Sequence, residues 1–298
     1  MPVFSVARLK NRIAGAHAYA RGRAVNPAGP VELIVEVTNA CNLACPMCPR
    51  PHMRRPVGMM DLGLFREIVD QVADTAELVY LSGGLGEPTI HPHLAGFVTA
   101  CRDRGVRVGV STNATLLRPR TIDALLDAGP DIVLLSLDGA TKETHERIRV
   151  GSDFETTMRG AAALAAAKTA RAARRPHLVC QMVHMPANAA EAEAFRARWA
   201  GVPGVDDVRL KKFLPLRDAD WVPPPGGRAR PDGSCILPWR QLTVSWDGTV
   251  PLCCRDLDVR HPVGDLRRTR VADLWNGPAF TACRAALAAG GKARLPHC

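Results

Sequence analysis

Residues 37–50 read VTNACNLACPMCPR, with three cysteines inside eight positions, directly after the apolar run ELIVEV of residues 32–37. A short apolar run rich in β-branched residues, followed by Asn, Cys and Pro, predicts a short strand that spills into a ligand loop. A structural zinc or an ordinary iron–sulfur cluster takes four protein ligands. Three thiols at one locus therefore point to a metal centre with one coordination position left open. Zinc would want a fourth ligand nearby, and only His52 offers itself.

The pattern repeats outward from that loop. Further β-like runs begin at residues 77 (ELVYLSGG), 106 (VRVGVSTN), 131 (DIVLLSLDG), 176 (PHLVCQMV) and 207 (DVRLKKF). Between them lie helix-compatible segments at 61–73, opened by Asp61 as N-cap, 93–104, closed by Gly105, 119–128, closed by Gly129, 153–173 and 189–200. Strands alternating with helices predict an α/β fold with a parallel sheet and helical crossovers, in the form of a partial (β/α)6 TIM-like barrel. Ligands of such folds bind at the carboxyl ends of the strands. The cysteine loop, SGGLGEP, STNATLL and SLDGA all fall there.

Past Phe213 the texture changes to LPLRDADWVPPPGGRARPDGS, which predicts a linker. The expected organisation is a basic helical extension at 1–30, the barrel at 31–215, a linker at 216–234 and a small α+β unit at 235–298. In that last unit QLTVSWDGTVPLCC reads as strand, Asp-Gly turn, strand, and VADLWNGPAFTACRAAL as a helix interrupted near Asn276, Gly277 and Pro278.

The chain has 298 residues, 47% of them hydrophobic, enough for a sizeable core, and no run approaches eighteen apolar residues. The first thirty residues interleave Arg and Lys with Ala and do not form a signal-peptide core, so a cytoplasmic protein without a membrane segment is expected. Ten cysteines in such a chain favour metal or redox work over disulfides. The net charge of +10 sits largely in scattered helix arginines, and only two Tyr accompany it. That composition offers no base-stacking platform and argues against nucleic acid.

Cys41-x3-Cys45-x2-Cys48 within TNACNLACPMCPR resembles the signature of the radical S-adenosylmethionine (radical SAM) superfamily. The resemblance implies a [4Fe-4S] cluster on Cys41, Cys45 and Cys48, whose fourth iron binds S-adenosyl-L-methionine. It also implies reductive cleavage to a 5′-deoxyadenosyl radical, hydrogen abstraction from a substrate C–H bond, and an electron donor such as flavodoxin or ferredoxin. By the same resemblance Gly84 and Gly86 admit the methionine moiety, Glu87 accepts its ammonium, and Thr112, Asn113, Ser136 and Asp138 face the ribose and carboxylate. Met47 stands where many members carry an aromatic residue beside the adenine.

Cys235-x12-Gly248-x4-Cys253, with VGDL and LWNGPAF after it, is similar to the opening half of SPASM or twitch auxiliary domains. That implies an auxiliary iron–sulfur cluster on Cys235, Cys253 and Cys298. Those domains usually finish with a Cys-x2-Cys pair, so Cys254, Cys283, the terminal carboxylate or substrate remain open as a further ligand. Adjacent residues of an extended strand point to opposite faces. On that ground Cys254 is expected to differ from Cys253, as a packed thiol, a substitute ligand or a hydrogen donor to a substrate radical. Cys101 and Cys283 read as small core hydrophobes. Cys180 is a minor candidate for the barrel interior, and Lys211 and Lys212 read as a solvated pair.

The expected activity is oxidation or epimerisation of a small natural-product intermediate, a sugar or aminocyclitol. The alternatives are modification of a ribosomally made peptide, and a metal-stabilised binding protein on the same scaffold.

Overall fold

Seven parallel strands form the main sheet: β1 (Glu32–Val35), β2 (Leu78–Leu81), β3 (Arg107–Thr112), β4 (Ile132–Ser136), β5 (His177–His184), β6 (Asp207–Lys212) and β7 (Gln241–Val244). Their order is β6-β5-β4-β3-β2-β1-β7. The computed structural model describes residues 5–81, 85–213, 235–291 and 295. The expected linker, 216–234, lies wholly outside the described residues.

The helices are α1 (Val6–Ala20), α2 (Leu62–Val72), α3 (Leu94–Asp103), α4 (Pro119–Ala128), α5 (Lys142–Ile148), α6 (Phe154–Ala170), α7 (Ala192–Trp199), α8 (Leu237–Arg240), α9 (Val271–Trp275) and α10 (Pro278–Ala288). Asp61 caps α2 by accepting from Leu64 N, and Gly129 closes α4 in the left-handed conformation. The interruption foreseen at Asn276–Pro278 separates α9 from α10. The sequence reading missed α5, whose seven residues KETHERI carry little apolar periodicity.

Alternation along the strands sorts the two faces of the sheet. Leu33, Val35, Val79, Val108, Val133, Leu178 and Cys180 belong to one core cluster with helix residues such as Phe65, Phe97, Leu164 and Phe195. Cys180 thus faces the helical layer, not the barrel interior. Val208 and Leu210 pack against the same cluster, which leaves Arg209 and Lys211 on the inner face, opposite Gln181 and Val183 in register.

The C-terminal segment departs from its expected hairpin. Its first strand, β7, pairs parallel with β1 from Glu32↔Gln241 to Val35↔Val244, extending the barrel sheet. β8 (Thr249–Pro251) then pairs antiparallel with β9 (Pro262–Asp265). The Asp247-Gly248 turn is present, but the strand before it satisfies its backbone against the barrel. Among the described residues no helix is long and apolar enough to cross a membrane.

Candidate active site

The cysteine loop leaves β1 as an arch whose feet are tied together. Thr38 Oγ1 donates to Gly58 O at 2.7 Å, Asn39 Nδ2 donates to Pro56 O at 2.9 Å, and Gly58 N returns a bond to Asn39 Oδ1 at 2.8 Å. Inside the arch Cys41, Cys45 and Cys48 lie within electrostatic reach of one another. Burial pushes the Cys41 thiol up and that of Cys48 up to about 11. N–H donors nevertheless point at the sulfurs: Leu43 N reaches Cys41 Sγ at 3.4 Å, Asn113 Nδ2 the same sulfur at 3.9 Å, and Arg149 Nη1 reaches Cys45 Sγ at 3.9 Å.

The β2 tip crosses directly beneath this arch. Gly86 adopts φ +80°, and a Cβ there would stand 2.0 Å from Thr38 O, so only glycine fits the crossing. Glu87 follows with 1% exposure. Its carboxylate accepts four hydrogen bonds: Thr89 N (3.1 Å), Thr89 Oγ1 (2.6 Å) and Thr112 Oγ1 (2.7 Å) on Oε1, and Asn113 N (2.6 Å) on Oε2. Burial raises its pKa against the pull of these bonds. Glu87 thereby clamps the β3 tip and sets Asn113, which reaches both Cys41 and Asn42 Oδ1 (3.0 Å). Thr89 was not singled out by the sequence reading.

At the β4 tip Ser136 is half-buried, and Asp138 is fully buried with φ +55°. The Asp138 carboxylate accepts from Val183 N at 2.6 Å and pairs with Arg149 at 2.5 Å. Gly84 lies outside the described residues. Met47 packs with Ile148, Val183, Met185 and Phe213 in a small apolar cluster beside the arch.

A second cysteine cavity opens in the C-terminal unit. Cys235, Cys253, Cys254 and Cys283 line it among Leu237, Leu252, Phe280 and Leu287. The chain leaves β8 at Pro251 and bends, so Cys253 and Cys254 are not successive residues of an extended strand. Both thiols face the cavity, which corrects the expectation of opposite faces. The hydrogen bond between them lowers the Cys254 pKa and, together with burial, raises that of Cys253. Cys298 lies outside the described residues. Cys283 has the helix spacing of a core residue with Phe280 and Leu287; the sequence could not show that this face lines the cavity.

The two cysteine sites are bolted together. Arg55, seven residues after Cys48, forms a buried ion pair with Glu36 (Nη1 to Oε1 at 2.6 Å) and donates from Nε to Leu257 O at 2.8 Å. Asp258 accepts from the backbone of Arg54 and Arg55, and the Trp246 ring fills the space left by Gly58.

The model of the radical SAM superfamily matches residues 35–193, and that of an iron–sulfur cluster-binding SPASM domain matches residues 235–298. PqqA peptide cyclase of Gluconobacter oxydans is 31% identical over 297 residues, covering 87% of this chain and 80% of that one. The segments matched in the first five curated relatives make up only 30 to 37% of those proteins. Among solved structures, SuiB of Streptococcus suis bound to precursor peptide SuiA gives a TM-score of 0.69 at 13% identity, over 93% of this chain and 71% of that one. BtrN in complex with AdoMet and 2-DOIA gives 0.61 at 19% identity, over 90% and 91%.

The residues fit the groups these matches imply. Among the described residues no three His, Cys, Asp or Glu side chains converge on a single-ion site. The thiols of a cluster are spread over a cube and need no such convergence. Three neighbouring sulfurs, Cys45 buried and Cys41 and Cys48 half-buried, with N–H donors aimed at two of them suit an anionic iron–sulfur cluster better than a lone zinc ion.

Proposed function

The chain belongs to the radical SAM superfamily with a C-terminal SPASM domain, and from that premise we propose that it modifies a ribosomally made peptide. Its cofactors are a [4Fe-4S] cluster, S-adenosylmethionine and an auxiliary iron–sulfur cluster. Bound together and reduced, the first two supply a 5′-deoxyadenosyl radical that removes a hydrogen atom from a C–H bond.

In this proposal Cys41, Cys45 and Cys48 hold the first cluster, while Glu87, through Thr112 and Asn113, fixes the strand tips that receive S-adenosylmethionine. Gly86 keeps the crossing chains close enough for that. Met47 and its apolar neighbours keep water from one side of the arch. Cys235, Cys253 and Cys254 serve the auxiliary cluster with Cys298, and electrons come from a donor of the flavodoxin or ferredoxin type.

The observation that carries the peptide reading is the match to PqqA peptide cyclase across 87% of this chain. A small-molecule substrate is the second reading, favoured by the likeness to BtrN across 91% of that chain. The test is anaerobic incubation of the reduced, iron-loaded protein with S-adenosylmethionine and short peptides encoded beside its gene. The expected result is 5′-deoxyadenosine together with a peptide of altered mass. Turnover of an aminocyclitol or sugar, with every such peptide unchanged, would overturn the peptide reading.

A further inference from the structure

Arg149 joins the arch to the β4 tip, and neither its residue type nor its position gave it a role in the sequence. Its side chain is 13% exposed. Nη1 donates to Cys45 Sγ at 3.9 Å, and Nη2 lies 2.5 Å from Asp138 Oδ2, an ion pair off hydrogen-bond alignment. Nε is buried without a hydrogen-bond partner. Asp138 in turn cannot swing away, because Val183 N donates to its Oδ1 at 2.6 Å and Asn188 Nδ2 to its carbonyl at 3.0 Å.

The backbone around Arg149 is hooked to the same loop. Arg149 N donates to His145 O at 2.7 Å, Ser152 Oγ donates to Arg149 O at 2.6 Å, and Ala44 N donates to Val150 O at 2.8 Å. Gly151, at φ +96°, brings the chain against Asn42 O. A cation is thus held at a fixed place beside one of the three thiols, with a carboxylate on its far side.

Reduction of an iron–sulfur cluster adds negative charge, and the cost of that charge falls with nearby positive charge and with hydrogen bonds to the sulfurs. We propose that Arg149 is a positioning residue that raises the reduction potential of the cluster held by Cys41, Cys45 and Cys48, with Asp138 holding the guanidinium in place and moderating its field. This rests on the three cysteines being that cluster's ligands. The arrangement makes a signed prediction. Removing the cation makes the cluster harder to reduce, and removing the charge of Asp138 makes it easier.

The test compares wild type, Arg149→Gln, Arg149→Lys and Asp138→Asn after anaerobic reconstitution. Iron and sulfide content is measured, and the cluster is titrated potentiometrically while its electron paramagnetic resonance is followed. The relevant signal is the one that changes when S-adenosylmethionine is added. Arg149→Gln should disfavour reduction about tenfold, a fall of about 59 mV for one electron. Arg149→Lys should recover most of that, and Asp138→Asn should shift the midpoint upward.

An unchanged midpoint in loaded Arg149→Gln overturns the proposal. If that variant loses its cluster, Asp138→Asn decides: an upward shift supports the proposal, and no shift or a downward one ends it. A wild-type chain with no S-adenosylmethionine-responsive signal would instead remove the cluster assignment, and the proposal with it.

Discussion

The two cysteine sites of this chain are built by opposite means. The first is a polar scaffold: Glu87 takes four hydrogen bonds in full burial, and Asn113 from the β3 tip and Arg149 from the end of α5 reach thiols across the site. The second is an apolar cavity with four thiols on its walls among Leu237, Leu252, Phe280 and Leu287, where Arg255 N reaches Cys253 Sγ at 3.5 Å and Cys253 and Cys254 bond to each other. Hydrogen bonds are directional and cavity walls are not. The first site should therefore fail when one polar partner is lost, and the second should tolerate exchange among its thiols.

The largest effect expected is at the arch. Replacing Cys41, Cys45 and Cys48 together by Ala should abolish 5′-deoxyadenosine formation and remove about four irons per chain, while the iron of the C-terminal cavity stays. Iron analysis beside product chromatography reads both. Residual cleavage by the triple variant would break the comparison at its root.

Next comes Gly86→Ala. The new Cβ would be forced against Thr38 O at a positive φ, a strain of about 1–3 kcal/mol, which for a chain of this size lowers the melting temperature by roughly 2–4 °C per kcal/mol. S-adenosylmethionine binding should weaken in parallel, because the arch and the β2 tip can no longer approach. Calorimetry of melting and binding tests this, and a variant with wild-type values in both would show the crossing to be looser than drawn.

Glu87→Gln keeps the shape but sets an amide against donors. One of the four hydrogen bonds must fail, at about 1–3 kcal/mol, and affinity for S-adenosylmethionine should fall by about one to two orders of magnitude. Iron in the C-terminal cavity should not change. If both sites lose iron alike, the scaffold is shared and the contrast between them is false.

Much of the barrel was legible because it is local: runs such as DIVLLSLDG and the cap at Asp61 carry their own periodicity and turn chemistry. The ligand loop was legible because three cysteines at fixed spacing have few uses. What stayed hidden depends on partners far along the chain. β7 pairs with β1, more than two hundred residues away, and no feature of QLTV announces it. Arg149 reads as one of many scattered arginines until the fold sets it on Cys45. Cys253 and Cys254 misled for a local reason: the rule for extended strands was applied to a bend.

That bend makes the next prediction. With both thiols on one cavity wall, Cys253→Ala and Cys254→Ala should each lose only part of the auxiliary iron, and the double variant should lose all of it, about four irons per chain. If Cys253→Ala alone empties the site, the two thiols are not interchangeable, and the second site is more directional than its apolar walls suggest.

The smallest effect should come from Cys283. It sits on α10 with 6% exposure, in an apolar cluster with Ala18, Trp239 and Leu287, and lines the same cavity as the other three thiols. A thiol in such a place is a ligand or simply a small hydrophobe. The helix register favours packing, since Phe280, Cys283 and Leu287 form one buried stripe whether or not metal is bound. Cys283→Ala should then cost about 1 kcal/mol of stability and leave the iron content at its wild-type value. Cys283→Ser, which keeps the size but adds a hydroxyl to an apolar wall, should cost at least as much without touching the iron. Iron loss in both variants would make Cys283 a ligand. The second site would then draw thiols from a bend and a helix at once, a spread of donors that the arch of the first site does not use.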